Sequence, residues 1–593
     1  MKKDNDDFKH LLEGLIANTL KHVHLIAGDT TINIKKGQRV KIRPGRNKAT
    51  APDSVGKTEE TEGDGFGYEN VHSYAQNDPR ISLIETQLTE AGKFLEFYEA
   101  GEWVIPVAFR LINLNNWACH HSASVLENFG SVSNLCNCGC EFCYIVNELD
   151  WANGKNMLSR EEVKTRLKYF DKDSMTGLPP ARKEQYEPFM NPNFLEVLEE
   201  ARALEPDAQF QFPTNGSFLR ERAVKRLSEL KPIKIHLSLN SSKPSIRKKV
   251  MKDPRPEVAV NSVKLLKEYG LKFIGSIVPW PTIPEENIKE TIFYLDKFYA
   301  LYIVLILPGY TKFHGNISPA EENEIEERWE VIPGLVKEMR NRVNTPILLY
   351  PTASWQKESL IVPLLDGVIR NSPADEAGLE AGDRIMKIDG KKVHSKPQAK
   401  LLFSSSKEDQ ISLELARADR EFTVKLDNWV NKNRYPYQPQ GYRSESTSKF
   451  YGIKLNDSFK FIYISRLIST IKKHDVGKIL LISSELMKPV FLRTLAMSDE
   501  YSVFFEGVDL RIVTLGNKFW GGNIVLGDLY TIEEIKSEIE EVISGNHFEP
   551  EIIIIPSSFT NQWGLDLTGD SFRELEYRLD IPVKKLQCKQ IMS

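Results

Sequence analysis

The sequence is poor in cysteine, in long apolar runs and in any excess of one charge. Its 593 residues include 78 Lys and Arg against 82 Asp and Glu, a net charge of −4, so no basic surface predicts a nucleic-acid partner or an anionic membrane. The apolar runs at 301–307 and 552–555 are far shorter than the roughly 20 residues that cross a bilayer. Residues 1–7 are charged where a signal peptide would be apolar. We therefore expect a soluble, cytoplasmic protein with no nucleic-acid or membrane partner.

The few cysteines are concentrated in one place. Four of the six lie within eight residues of the segment SNLCNCGCEFCYIVN, as Cys136, Cys138, Cys140 and Cys143. A disulfide framework spreads its cysteines along the chain, whereas crowding in a reducing compartment is typical of metal or redox chemistry. The segment is therefore the first candidate for a functional site.

The spacing of Cys136, Cys140 and Cys143 suits an iron–sulfur cluster. Three thiolates bind three irons of a 4Fe–4S cubane and leave the fourth iron open for a small molecule. Phe142 offers an aromatic face beside the last ligand. Cys138 is extra to this pattern, and we interpret it as a loop thiol that is not a ligand.

A structural zinc site is the alternative interpretation. The four clustered thiols, together with Cys119, His120 and His121, contain enough ligands for a tetrahedral Zn²⁺. A zinc knuckle alone does not explain the strand and helix pattern that follows the cysteines, so we favour the iron–sulfur cluster.

From 131 to 350, short apolar strands alternate with amphipathic helices. Repeated units of this length predict a parallel sheet with right-handed crossovers, and five or six of them close partly into a barrel. A second series of apolar strands, at 478–483, 510–515 and 552–556, predicts another α/β unit near the C-terminus. The predicted fold class is α/β, with a partial (β/α)6 barrel, a small mostly-β unit and a C-terminal α/β unit.

The cysteine spacing, the aromatic residue before the last cysteine and the β-α series resemble the radical S-adenosylmethionine (SAM) superfamily. The resemblance implies that SAM binds the open iron and is cleaved reductively to a 5′-deoxyadenosyl radical, with a flavodoxin- or ferredoxin-type protein as electron donor. It implies that Glu187, in YEPF, holds the amino group of SAM and that Arg247 pairs with the carboxylate of SAM. The candidate cofactor-binding residues are Phe142, Glu187, Ser238, Asn240 and Arg247.

The segment GVIRNSPADEAGLEAGDRIMKIDGKKV resembles a PDZ domain of the type found in bacterial proteases. A Gly-Leu-Gly-Phe-like loop is expected just before Val368, but the sequence there reads LIVPLLDG. Peptide binding and a docking or lid role therefore both stay open. Together with PGYTKF and GNKFWGGNIVLGDL, the pattern is similar to an uncharacterised family that combines a PDZ domain, a radical SAM barrel and a C-terminal domain of unknown function.

The sequence thus predicts a radical SAM enzyme that abstracts hydrogen from a peptide, a protein or a small metabolite. The alternative is a peptide-binding adaptor with a structural zinc or a redox-sensing iron–sulfur cluster. The predicted boundaries are 1–45 for a small β module, 46–75 for a linker, 76–130 for an extension that packs on the barrel, 131–350 for the radical SAM domain, 358–428 for the PDZ-like domain, 429–449 for a linker and 450–593 for the C-terminal α/β domain.

Overall fold

A computed structural model of the chain describes strands at 30–34, 43–44 and 103–106 and, with gaps, residues 132–143, 160, 187–351, 362–429, 450–456 and 462–586. The gaps inside these ranges are 134, 205, 207–209, 313, 315–316, 407, 497–498, 517, 524–529, 547, 560–565, 567–569 and 571. The predicted linkers, apart from Trp429, and most of the predicted 1–45 and 76–130 segments lie outside the described residues. So do Cys119, His120, His121 and Cys588.

The N-terminal strands form one small antiparallel sheet. The strand β1 (Thr30–Ile34) pairs with β2 (Arg43–Pro44) on one edge and with β3 (Trp103–Pro106) on the other. The sequence analysis placed the third strand in a separate segment. The pairing joins it to the N-terminal module.

The next unit is a sheet of five parallel strands, which we call the barrel sheet. Its order follows the sequence, and every neighbouring pair is parallel. The strands are β4 (Phe210–Thr214), β5 (Ile233–Ser238), β6 (Lys272–Ile277), β7 (Ile303–Ile306) and β8 (Ile347–Tyr350). Sequential order with helical crossovers is the geometry of an open parallel barrel, as the sequence predicts.

Helices cover the outer face of this sheet. They are α1 (Phe194–Leu204), α2 (Glu221–Glu229), α3 (Pro244–Met251), α4 (Pro256–Glu268), α5 (Glu285–Lys297) and α6 (Pro319–Arg340). Ser318 begins α6 with a capping box, in which its hydroxyl accepts from the Glu321 amide and the Glu321 carboxylate accepts from the Ser318 amide. The sequence analysis missed α3, whose short length and basic run PSIRKKVM hide its apolar face.

The alternation along each strand decides which side chains face the helices. Ile235 and Leu237 of β5 are buried in the core between sheet and helices. His236, which lies between them, and Ser238, which follows Leu237, therefore point to the inner face of the sheet. This inner face is where a barrel of this kind carries its polar groups.

The following unit, which we call the middle unit, is mostly β. An antiparallel sheet of order β11-β10-β12-β13 lies beside a two-stranded sheet of β9 and β14. The elements are β9 (Gly367–Val368), α7 (Pro373–Glu376), β10 (Arg384–Ile388), β11 (Lys391–Lys392), α8 (Lys396–Ser405), β12 (Gln410–Arg417), β13 (Arg420–Asp427) and β14 (Ile453–Lys454).

The middle unit packs on the barrel sheet. Ile369 and Trp429 share a buried apolar cluster with Ile274, Val304 and Leu348 of the inner face. At the rim of this contact the Asp366 carboxylate, 3% exposed, pairs with Arg340 at 2.6 Å and with Lys396 at 2.7 Å. The middle unit therefore closes part of the inner face from one side.

The C-terminal unit is a second α/β layer with a parallel sheet of order β16-β15-β17-β18. Its elements are α9 (Ile462–His474), β15 (Lys478–Ser483), α10 (Met487–Ala496), α11 (Asp499–Glu506), β16 (Asp509–Thr514), α12 (Ile532–Asn546), β17 (Ile552–Pro556), α13 (Arg573–Leu579) and β18 (Val583–Leu586). The predicted strands at 478–483 and 552–556 have these bounds, and β18 was missed. The predicted fold class is confirmed.

No helix within the described ranges combines the length and the apolar character that a membrane crossing requires.

Candidate functional site

The clustered cysteines lie on residues 135–143, which we call the cluster loop. Two backbone bonds fix it to the end of α3: the Gly139 amide donates to Met251 O at 3.0 Å and the Glu141 amide to Val250 O at 2.8 Å. The Leu135 carbonyl accepts from the Glu187 amide at 3.0 Å. A side chain at Gly139 would contact Lys252 at 3.3 Å, so a small residue suits this close approach.

Burial separates the cysteines into two classes. Cys136, Cys140 and Cys143 are half-buried, whereas Cys138 is buried at 9% exposure. The three cysteines of the predicted ligand pattern are thus the three that reach the surface of the loop. This difference supports our interpretation of Cys138 as a thiol that is not a ligand.

The donor set suits an iron–sulfur cluster, although the thiols contact one another in this structure. A hydrogen bond with Cys138, and after it burial, raise the pKa of the Cys136 thiol. The side-chain Nδ2 of Asn215 donates to Cys136 Sγ at 3.8 Å, a contact of the kind that supports a thiolate ligand from outside the first coordination sphere. Within the described part of the chain no three His, Cys, Asp or Glu side chains are placed to hold a single metal ion.

Glu187 lies beneath the cluster loop, where its carboxylate is 1% exposed. Its two oxygens accept from Thr214 Oγ1 at 2.9 and 3.0 Å, from the Asn215 amide at 2.7 Å and from the Phe189 amide at 3.3 Å. Burial raises the pKa of Glu187 to about 7, against the opposing effect of these hydrogen bonds. Glu187 therefore ties the cluster loop to the end of β4, and the predicted contact with SAM stays a proposal.

Arg247 joins α3 to the carboxyl ends of β4 and β5. Its guanidinium is fully buried and forms an ion pair with Asp253 at 2.6 Å. It also donates to Ser238 O at 2.8 Å, to Leu239 O at 2.5 Å and to Asn215 O. These bonds use most of its donors, and the predicted contact of Arg247 with the SAM carboxylate stays a prediction.

Ser238 and Asn240, the two residues predicted at the end of β5, differ in burial and therefore in their access to a ligand. Asn240 is 2% exposed, accepts from the Val278 amide at 2.8 Å and donates to Met251 Sδ at 3.3 Å. Its positive φ of 58° is one that asparagine tolerates. Ser238 is half-buried, and its hydroxyl points to the inner face. Of the two, Ser238 is the better candidate for a ligand contact.

A comparison with known proteins assigns two parts of the chain. Residues 131–295 match the model of the radical SAM superfamily, and residues 365–417 match that of the PDZ domain. The chain contains a radical SAM domain and a PDZ domain. The middle unit holds the PDZ domain, and the cluster loop and strands β4 to β6 lie in the radical SAM domain.

Three curated proteins illustrate these similarities. A GTP 3′,8-cyclase of Streptomyces coelicolor is 27% identical over 24% of this chain and 40% of its own length. That of Aliarcobacter butzleri is 21% identical over 27% of this chain and 49% of its own length. A Clostridium perfringens protein named as a zinc metalloprotease is 33% identical over 11% of this chain and 20% of its own length. The chain thus spans less than half the length of each.

Two solved structures resemble part of the chain. Streptococcus suis SuiB bound to precursor peptide SuiA is 18% identical, with a TM-score of 0.28, over 37% of this chain and 47% of that one. Methylornithine synthase is 15% identical, with a TM-score of 0.23, over 38% of this chain and 72% of that one.

Sequence analysis missed two aromatic residues beside the cluster loop of the radical SAM domain. Trp280, after β6, lies 6.3 Å from the ring of Phe142 and 5.9 Å from the ring of His314. His314, after β7, places Nε2 2.6 Å from Glu141 O. The only sequence signal for them is their position just after parallel strands, where ligands of such folds bind.

Proposed function

We propose that the protein is a radical SAM enzyme that carries one 4Fe–4S cluster and binds SAM. The observation that carries the proposal is the cluster loop, where the three thiols of the ligand pattern are half-buried and Cys136 Sγ accepts from Asn215 Nδ2 just after β4. A bound cluster supplies the electron that cleaves SAM to the 5′-deoxyadenosyl radical, while the protein positions the reactants and excludes water.

The chain's own residues have distinct parts in this proposal. Cys136, Cys140 and Cys143 hold the cluster. Glu187 holds the cluster loop against β4 through Thr214. Phe142, on the cluster loop, and Ser238, at the carboxyl end of β5, contact SAM or the substrate.

The substrate class that the chain favours is a peptide or a protein. In the PDZ domain, β14 pairs with β9 to form a two-stranded antiparallel sheet. PDZ domains bind peptides by adding a strand to the edge of a sheet. A small metabolite that enters the barrel sheet directly is the alternative.

The proposal also includes a protein electron donor and a cytoplasmic location. The half-buried cluster thiols leave the cluster close to the protein surface, where a flavodoxin- or ferredoxin-type protein can reduce it. The described cysteines are free thiols, and free thiols near iron are stable in a reducing cytoplasm.

Anaerobic reconstitution with iron and sulfide tests the proposal. We expect about four irons per chain, and 5′-deoxyadenosine after addition of dithionite and SAM. Cys140→Ala is expected to abolish both, while Cys138→Ala, a matched change on the same loop, retains them. If the wild type forms no 5′-deoxyadenosine and Cys140→Ala has the same metal content, the proposal is wrong. Stoichiometric zinc in the wild type would favour the adaptor instead.

A further inference from the structure

A turn of the C-terminal unit packs on a loop of the radical SAM domain. The turn is residues 518–523, and the loop, which we call the mouth loop, is residues 307–314, directly after β7. The Lys312 amide donates to Trp520 O at 2.7 Å. Asn523 accepts from the Tyr310 amide at 2.9 Å and donates to Pro308 O at 3.1 Å. The turn therefore holds the mouth loop by its backbone at three positions.

Gly522 permits this close approach. Its φ is 65°, and a Cβ built on it would lie 2.1 Å from Tyr310 O. The neighbouring Gly521 has the same φ of 65°, but its Cβ would meet no backbone atom at such a distance: the nearest atom is Lys312 Cβ at 3.2 Å. Only at Gly522 does a methyl group collide with the backbone of the mouth loop.

The mouth loop in turn contacts the cluster loop. Since Glu141 O is an acceptor, the His314 Nε2 that lies 2.6 Å from it carries the proton and donates. His314 is 8% exposed, and its Nδ1 has no hydrogen-bond partner within the described part of the chain. The ring also stacks on Trp280, which packs on Phe142. The contact lies between two proposed cluster ligands, Cys140 and Cys143.

We propose that the C-terminal unit is a positioning element of the cofactor site. Gly522 and Asn523 hold the mouth loop, and the mouth loop holds Glu141 and Phe142 of the cluster loop through His314 and Trp280. This inference rests on the proposed SAM and cluster binding and gives the C-terminal unit a part in it. The turn contacts the mouth loop at three backbone positions, and His314 of the mouth loop contacts the cluster loop. A shift of the turn is therefore passed on to the cluster loop through the mouth loop.

The full-length reconstituted protein tests this with the two glycines. SAM affinity and the electron paramagnetic resonance spectrum of the reduced cluster, with and without SAM, are measured for the wild type, Gly522→Ala and Gly521→Ala. Substitutions along a coupling path change affinity by about 2-fold to 30-fold, so we expect Gly522→Ala to weaken SAM binding in this range and to change the spectral shift that SAM causes. Gly521→Ala, with equal backbone strain, is expected to stay within about 2-fold of the wild type.

Three further variants cover the case in which Gly522→Ala does not fold. Asn523→Ala removes two hydrogen bonds to the mouth loop without strain, and His314→Gln keeps a donor for Glu141 O that His314→Ala lacks. We expect Asn523→Ala and His314→Ala each to weaken SAM binding, less than additively when combined, and His314→Gln to restore part of the loss.

The possible outcomes separate the two proposals. If the wild type binds no SAM, the proposed function fails. If the wild type binds SAM and Asn523→Ala and His314→Ala bind it equally well, or if Gly521→Ala and Gly522→Ala lose the same amount, the positioning role of the C-terminal unit is overturned.

Discussion

Arg247 and Asp253 form an ion pair at 2.6 Å in which neither side chain is exposed. Asp253 also accepts from Ser217 Oγ at 2.5 Å and from the Arg255 amide at 2.9 Å, so its carboxylate is satisfied from three directions. The pair joins α3 to the carboxyl ends of β4 and β5. Because the cluster loop is bonded to the end of α3, this buried pair supports the proposed site.

Loss of one partner of this pair should destabilise the radical SAM domain strongly. Removal of one partner leaves the other charge buried and uncompensated, which costs about 3–5 kcal/mol. We expect Asp253→Asn to lower the free energy of unfolding by this order in a urea titration. The exposed pair Lys264–Glu268, at 3.5 Å, is the control: Glu268→Gln should cost about 0.5 kcal/mol or less. An equal cost for both changes would contradict the prediction.

Ser238 and Asn240 should separate ligand binding from stability. Ser238→Ala removes a hydroxyl that faces the inner side of the barrel sheet. The loss of one hydrogen bond is worth about 0.5–1.5 kcal/mol, so we expect SAM or substrate affinity to fall by about 2-fold to 12-fold with unchanged unfolding. Asn240→Ala loses the bond to the Val278 amide and places alanine at a positive φ, so its effect should appear in thermal unfolding. The reverse pattern would assign Asn240 to the ligand.

The elements of the barrel sheet were predictable because each has a clear local signal. Ile347–Tyr350 is an apolar run, and α6 begins with a serine cap and two glutamates, so the sequence carries a local signal for both. Helix α3 gave no such signal. Its buried residues include Arg247, which sequence analysis assigns to solvent or ligand until its internal partners are known.

The cluster loop was predictable for a similar reason, because the spacing of its cysteines is a local feature of the sequence. The contacts of Trp280 and His314 with it were not, because they join segments more than a hundred residues apart whose proximity depends on the order of the strands. The same holds for β14, which pairs with β9 across more than eighty residues of sequence and supplies the strand beside Val368. The sequence predicts that part of the PDZ domain just before Val368, where the chain reads LIVPLLDG instead.

Gly367 should control how the PDZ domain docks on the barrel sheet. Its φ is 153°, and a Cβ there would lie 2.7 Å from Pro346 Cβ and 2.8 Å from Pro346 Cα. Overpacking of this kind costs about 1–3 kcal/mol, so Gly367→Ala should increase hydrogen exchange in β8 and β14. Gly382→Ala, at a φ of 92° with nothing within 4 Å of its Cβ, carries strain without the collision. Equal exchange in β8 for both variants would mean that the docking tolerates the methyl group.

His236 should make the barrel sheet sensitive to acid. Burial, and after it the charge of Lys234, lower the pKa of His236 from 6.5 to about 4, and its Nε2 is buried without a hydrogen-bond partner in the described part of the chain. Between these two pH values the unfolded chain binds a proton that the folded state does not. The stability due to the neutral ring is therefore complete above pH 6.5 and is lost as the pH falls toward 4.

The two pKa values give the size of this effect. Between pH 7.5 and pH 5 the histidine should remove about 2 kcal/mol of the free energy that protects β5 from opening. Native-state hydrogen exchange of the β5 amides, corrected for the intrinsic pH dependence of exchange, measures this loss. His236→Gln has a polar side chain of similar size that does not titrate, so it should flatten the profile over this interval. An unchanged slope in the variant would show that another group causes the acid sensitivity.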